Sequence, residues 1–273
     1  RFTAGYATLA GYRSVAFVLK LPLVDGSVSA SAGSGLFIGP HQVLTAGHVL
    51  FYEVGRVRSE LIYAGPGADA RAIADAGLLL PDDTQMPASV SELGRDSIDP
   101  FRGYSSDPAA NFDPTDIALL TDVSFNHGQQ PMSIGVSWSA DVLDGVQAIS
   151  AGFPGEAPYD SRVLYQTTGN LTTLVDYRAL GLTSYEGQSG SGVWIIDPDT
   201  QAQVAIGILS TKAGNHVGGS LLLSPGDYLQ ISAAFEASGV TAAKRPSESM
   251  SKRTARRKPS GKRAQSAKSD AAS

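Results

Sequence analysis

The chain has 273 residues, of which 42% are hydrophobic and only 17% charged, with 30 glycines and no cysteine. This length and apolar fraction suit one large domain or two small ones with a buried core, and the Gly-rich, charge-poor balance favours short strands joined by tight turns. Disulfides, a thiolate nucleophile and cysteine-bound zinc are excluded, and the net charge of −5 divides into +8 for residues 244–273 and −13 for the first 243.

In chain order, Ser14–Leu21 reads as the first strand, rich in Val and Leu. Its apolar stretch Val15–Leu19 is broken by Lys20 and Pro22, far short of the roughly 18 residues a membrane span needs. The start at Arg1, without a basic-then-apolar leader, reads as a mature exported chain, secreted or periplasmic. Gly35–Ile38 and Gln42–Thr45 are the next strands. Asp75–Asn111, crowded with Pro, Asp, Ser and Gly, reads as a surface insertion with some structure around Val90–Leu93, and Thr121–Ser139 as a connection between two halves. Val146–Gly152, Val193–Ile196 and Gln203–Leu209 complete the strand candidates. No helical patterns alternate with these strands, so a doubly wound parallel sheet is disfavoured and barrels or sandwiches remain.

Ser224-Pro225-Gly226-Asp227 supplies an N-cap serine, a proline at the first helical position and an acid at the third. Tyr228, Ile231 and Phe235 follow at helical spacing, so a helix is predicted over 225–238, stopped by Gly239. Beyond Ala243 there is no aromatic residue and no Ile, Leu or Val, so residues 244–273 are expected to be a disordered basic tail. Without aromatics for stacking, the tail is read as a flexible extension able to contact anionic surfaces by charge, not as a specific nucleic-acid reader.

Three local patterns carry chemistry. In Gly33-Ser34-Gly35-Leu36-Phe37-Ile38-Gly39 and Val43-Leu44-Thr45-Ala46-Gly47-His48, two strand-like runs lead into a histidine preceded by small residues that leave its ring projecting. Asp116-Ile117-Ala118-Leu119-Leu120 places an acid directly ahead of an apolar strand, where it would hold one imidazole tautomer. Asp113 competes for that role, though the apolar run favours Asp116. Glu186-Gly187-Gln188-Ser189-Gly190-Ser191-Gly192 flanks a serine with glycines, permitting a strained turn that directs the amides of Gly187 and Ser189 to one point. Ser191 does not fit the Gly-x-Ser-x-Gly elbow, and an α/β-hydrolase would need its histidine last. His41, His127 and His216 lie in turn-like stretches and read as surface residues. Pro81-Asp82-Asp83 lacks calcium-loop spacing and His-Glu-x-x-His is missing, so neither a metal nor another cofactor is expected.

The Thr-Ala-x-His, Asp-Ile-Ala-Leu and Gly-x-Ser-Gly motifs, in that order, resemble the chymotrypsin-like (trypsin-like) serine peptidases, and Gly-Gln-Ser-Gly-Ser is most similar to the cysteine-poor, glutamyl-endopeptidase-like bacterial branch. The resemblance runs from about Ser14 to about Phe235. It implies an all-β fold of two antiparallel six-stranded barrels, 1–125 and 126–223, then the C-terminal helix within a unit ending at 243, and the tail. It further implies that Ser189 is the nucleophile, His48 the base and acid, and Asp116 the orienting carboxylate, with oxyanion-hole amides at Gly187 and Ser189. Substrate binding would fall to Thr183, Ser184, Leu209, Ser210 and Thr211, and the partner would be a protein or peptide substrate met by a monomer.

Some positions depart from that pattern. Gln188 stands where digestive-type relatives carry an acid that pairs with a new N-terminal amine. Leu209 stands where glutamate-cleaving relatives carry histidine, and Thr183 where trypsin-like ones carry a carboxylate. An uncharged substrate side chain is the resulting expectation, with Lys212 the residue that would admit an acidic one. The alternative is a noncatalytic protease-like module that holds a peptide without cutting it; another makes the tail the functional part.

Overall fold

The computed structural model describes residues 2–4, 14–22, 28–39, 41–50, 53–54, 57–58, 61–66, 91–93, 98–99, 114–121, 131–136, 139–159, 161, 163–213 and 216–237. The basic tail, most of the Asp75–Asn111 stretch, Asp113 and His127 lie outside the described residues.

Ten strands come first: β1 (Phe2–Ala4), β2 (Ser14–Pro22), β3 (Val28–Phe37), β4 (Val43–Thr45), β5 (Glu53–Val54), β6 (Val57–Arg58), β7 (Leu61–Pro66), β8 (Ser91–Leu93), β9 (Ile98–Asp99) and β10 (Ala118–Leu120). Eight follow: β11 (Ser133–Ile134), β12 (Gln147–Gly152), β13 (Tyr165–Asn170), β14 (Thr172–Thr173), β15 (Arg178–Thr183), β16 (Gly192–Ile196), β17 (Gln203–Ala213) and β18 (Val217–Leu222). A short helix α1 (Gly47–Leu50) follows β4, a 3-10 turn spans Ala140–Leu143, and α2 (Pro225–Ala237) follows β18. No helix among the described residues is long and apolar enough to cross a membrane.

One sheet of seven strands runs β8-β7-β2-β3-β4-β10-β9, and another of nine runs β1-β13-β12-β16-β17-β18-β15-β14 with β11 beside β17. This is the expected all-β architecture of two sheet-built halves and a C-terminal helix. The strand counts exceed six because short strands join the margins: β8 and β9 in the first sheet, β1, β11 and β14 in the second. The pairings are antiparallel except β11 with β17, and β1 crosses over to pair with β13.

Local sequence explains the central strands. Ile117 and all of β10 are buried, the continuous apolar run of a strand covered on both faces. β12 begins with exposed and buried residues in alternation and ends in the fully buried Ala151 and Gly152. β13, β15 and β18 were missed in the sequence reading because Thr, Gly, Ser and Arg interrupt their apolar residues, and their pairing partners make them strands.

The helix N-terminus is capped as its sequence predicts. The Ser224 hydroxyl and amide donate to Asp227 Oδ2 at 2.7 and 2.6 Å, and the Asp227 amide donates back to Ser224 Oγ at 3.3 Å. Ile231 and Phe235 bury its inner face, each side chain contributing about 1.5–3 kcal/mol by leaving water. They join a core cluster containing Leu36, Phe37, Leu44 and Leu119 of the first sheet together with Trp194, Ile208 and Leu221 of the second. A smaller cluster, including Val193, Ile195, Ile206 and Leu209, fills the second sheet alone.

Candidate active site

Strand register brings Asp116 to His48. β4 and β10 pair antiparallel with Ala118 opposite Thr45, so the chain just before β10 runs alongside the chain just after β4. The His48 amide donates to Asp116 Oδ1 at 2.7 Å, and its ring Nδ1–H donates to Oδ2 at 2.7 Å. A carboxylate offers only acceptors, so this bond keeps the proton on Nδ1 and leaves Nε2 with a free lone pair. The Asp116 side chain is 6% exposed and that of His48 40%, so the acid is sealed while the imidazole reaches outward.

A third donor comes from the second sheet. Ser210 Oγ donates to Asp116 Oδ2 at 2.5 Å. The register of β17 on β18 shifts between Leu209 and Thr211, so Ser210 sits in a bulge. Leu209 and Ser210 are both buried, Leu209 in the core of the second sheet and Ser210 against Asp116.

The segment from Tyr185 to Ser191 is tied peptide by peptide. The Glu186 carbonyl accepts from the Gly155 amide at 2.7 Å, the Gln188 amide donates to Tyr185 O at 3.1 Å, and the Gln188 carbonyl accepts from the Ser191 amide at 3.0 Å. The Ser189 carbonyl accepts from the Ser34 amide at 2.8 Å, and the Gly190 amide donates to Leu209 O at 2.6 Å. In a trans peptide N–H and C=O point opposite ways. Fixing the Glu186 and Gln188 carbonyls therefore turns the following amides, those of Gly187 and Ser189, away from these partners, and neither amide donates to another described residue.

The turn needs its glycines. Gly187 has φ +88° and Gly190 φ +84°, and a Cβ on Gly190 would overlap Ser34 O and Thr45 Oγ1. Gln188 is fully buried, its Oε1 accepting from the Tyr185 amide at 3.0 Å.

Ser189 itself is half-buried, docked through its carbonyl on Ser34 of β3; the next residue, Gly35, pairs with Thr45, three residues before His48. Three of the residues expected to bind substrate lie elsewhere than a simple pocket wall. The side chain of Leu209 is 1% exposed and packs in the core of the second sheet, so it is corrected from a substrate contact to a support whose backbone holds Gly190 and Ser191. Ser210 directs its hydroxyl to Asp116, and Ser184 is buried with its amide donating to His216 O at 2.9 Å. Thr183 ends β15 half-buried, its amide donating to Thr167 Oγ1 at 3.3 Å, and Thr211 pairs with Gly219.

His41 is exposed as expected, but His216 is not a plain surface residue. Its ring lies 4.3 Å from that of Tyr185, tilted 34°, with Nδ1 buried. Tyr185 in turn meets Tyr159 edge-on at 4.9 Å, and Tyr159 meets Tyr165 at 4.8 Å. Burial, then the hydrogen bond to Tyr185, raises the Tyr159 phenol above its ordinary value. Sequence reading also missed Ser34, Ser210's bond to Asp116 and this aromatic row; a serine between two glycines on a strand was the one local sign of Ser34.

No protein-family model and no curated protein matches the chain. Solved structures do. The protease Anisep from Arthrobacter nicotinovorans superposes with a TM-score of 0.58 at 14% identity, covering 87% of this chain and 98% of its own. A Glu endopeptidase in complex with MPD gives 0.57 at 19% identity, over 85% and 95%, and the thermostable serine protease AL20 from an extremophilic microorganism 0.55 at 14%, over 85% and 99%. Over nearly the full length of these proteases, the chain has the same chymotrypsin-like fold.

Proposed function

We propose that this chain is a serine endopeptidase in which His48, Asp116 and Ser189 form a catalytic triad. The observation that carries this reading is the pair of 2.7 Å bonds from one buried carboxylate to the amide and ring of one outward-reaching histidine. In the proposed cycle His48 Nε2 takes the Ser189 hydroxyl proton as Oγ attacks the substrate carbonyl carbon. The oxyanion is met by the Gly187 and Ser189 amides. His48 returns the proton to the leaving amine, the C–N bond breaks, and an acyl ester on Ser189 remains until water, deprotonated by the same imidazole, releases the acid.

The division at residue 125 into a half bearing His48 and Asp116 and a half, 126–243, bearing Ser189, with 244–273 as an extension, belongs to the same reading, as does a secreted or periplasmic location. The kinship in fold with proteases supports a peptide substrate. Thr183 and Thr211 of β17 are the proposed specificity contacts, for an uncharged side chain unless Lys212 admits an acidic one.

Labelling with a fluorophosphonate probe tests this reading. The wild-type protein is expected to label and the Ser189→Ala variant not to; a folded wild type that fails to label would end the peptidase reading and favour a module that holds peptides uncut.

A further inference from the structure

We propose that Ser34, a residue of the first sheet, is the positioning residue that sets the direction of the oxyanion-binding amides in the second half. This rests on the serine-peptidase reading. Ser34 is fully buried, and each of its polar groups is engaged. Its hydroxyl donates to Gly187 O at 2.9 Å and accepts from the Phe153 amide at 3.0 Å. Its amide donates to Ser189 O at 2.8 Å, and its carbonyl accepts from Thr45 Oγ1 at 2.7 Å. One residue thus holds the peptide after Gly187, the peptide after Ser189, the end of β12 and, through Thr45, the strand leading to His48.

The hydroxyl is the side-chain group that carries two of these bonds. It is donor and acceptor at once, so it bridges a carbonyl of the serine loop and an amide at the end of β12. Removing it takes the partner from the part-buried Gly187 O and from the buried Phe153 N–H. Gly187, at φ +88° and without a Cβ, is the point where the loop turns most easily to relieve that, and turning there swings the Ser189 amide relative to the Gly187 amide, whose own peptide stays held through the Glu186 carbonyl. The other loop bonds are backbone bonds or the internal Gln188 to Tyr185 link, and none anchors the Gly187 carbonyl.

The test compares Ser34→Ala and Ser34→Gly with wild type, using a chromogenic peptide substrate and a peptide aldehyde whose adduct with Ser189 places an oxygen at the two amides. Rates are referred to the folded fraction from cooperative thermal unfolding. Expected are a fall in kcat of about 10- to 100-fold, KM within about threefold, and a loss of aldehyde affinity that follows the loss of kcat/KM. A merely structural role would lower the folded fraction and leave both values per folded molecule unchanged, which would overturn the proposal, as would a kcat loss without weaker aldehyde binding. In the wild type, exchange of the Phe153 amide is expected to slow on forming the adduct. No change there would overturn the coupling even if neither variant folds. A wild type that neither turns over nor labels overturns both readings; an active wild type matched by Ser34→Ala overturns this one alone.

Discussion

Asp116 accepts from three donors, two on His48 of α1 and one on Ser210 of β17, so replacing it changes the partners of each. Asp116→Asn keeps the shape but can present an N–H to the His48 ring, which reverses the tautomer and puts a proton on Nε2. The expected result is a loss of about 10⁴-fold in kcat with KM little changed, measured by steady-state ester hydrolysis. Ser210→Ala removes one hydrogen bond to the carboxylate and leaves the two from His48. A single bond to a charged group contributes about 1.5–3 kcal/mol, so the expected loss in kcat/KM is about 10- to 150-fold, well short of that for Asp116→Asn. Gly190→Ala fails for a different reason: its backbone lies in the left-handed region and its Cβ would strike Ser34 O and Thr45 Oγ1. It should fail to label with a fluorophosphonate even where circular dichroism still reports a folded protein.

Elements differ in how far their own sequence secures them. α2 carries its reciprocal cap between Ser224 and Asp227, and its buried face meets the first half, where a Cβ on Gly39 would touch the ring of Phe235. Capping and packing separate by size. Ser224→Ala is expected to lower stability by about 1 kcal/mol and Ile231→Ala by about 2–5 kcal/mol, both read from denaturant midpoints at constant slope. β17 shows the opposite dependence. Its residues Gln203–Leu209 were legible as an apolar run, but the register shift at Ser210 shows only in its pairing with β18, and no residue type at that position announces it.

For the whole molecule, the main core cluster mixes side chains of both sheets and of α2. Neither half can lose its structure without exposing apolar surface on the other. Thermal unfolding followed by circular dichroism and loss of probe labelling should therefore coincide in one transition; labelling lost well before the secondary structure would show that the halves separate first. The same docking assembles the site: the Ser210 bond to Asp116 and the Ser34 bonds to Gly187 and Ser189 all run between the sheets.

By itself the sequence determined what depends on neighbours along the chain. It marked an all-β pattern, the helix with its cap, a histidine after small residues, an aspartate ahead of a buried strand, and a glycine-flanked serine, because propensity, capping and tight turns are local matters of one to four residues. Only the tertiary structure decided that Ser34 braces the serine loop, that Ser210 faces Asp116 while Leu209 enters the core, and that His216 lies on Tyr185. Those bonds join residues 153 and 94 positions apart in the case of Ser34 and Ser210, and a polar side chain whose partner is so distant leaves no trace in local periodicity.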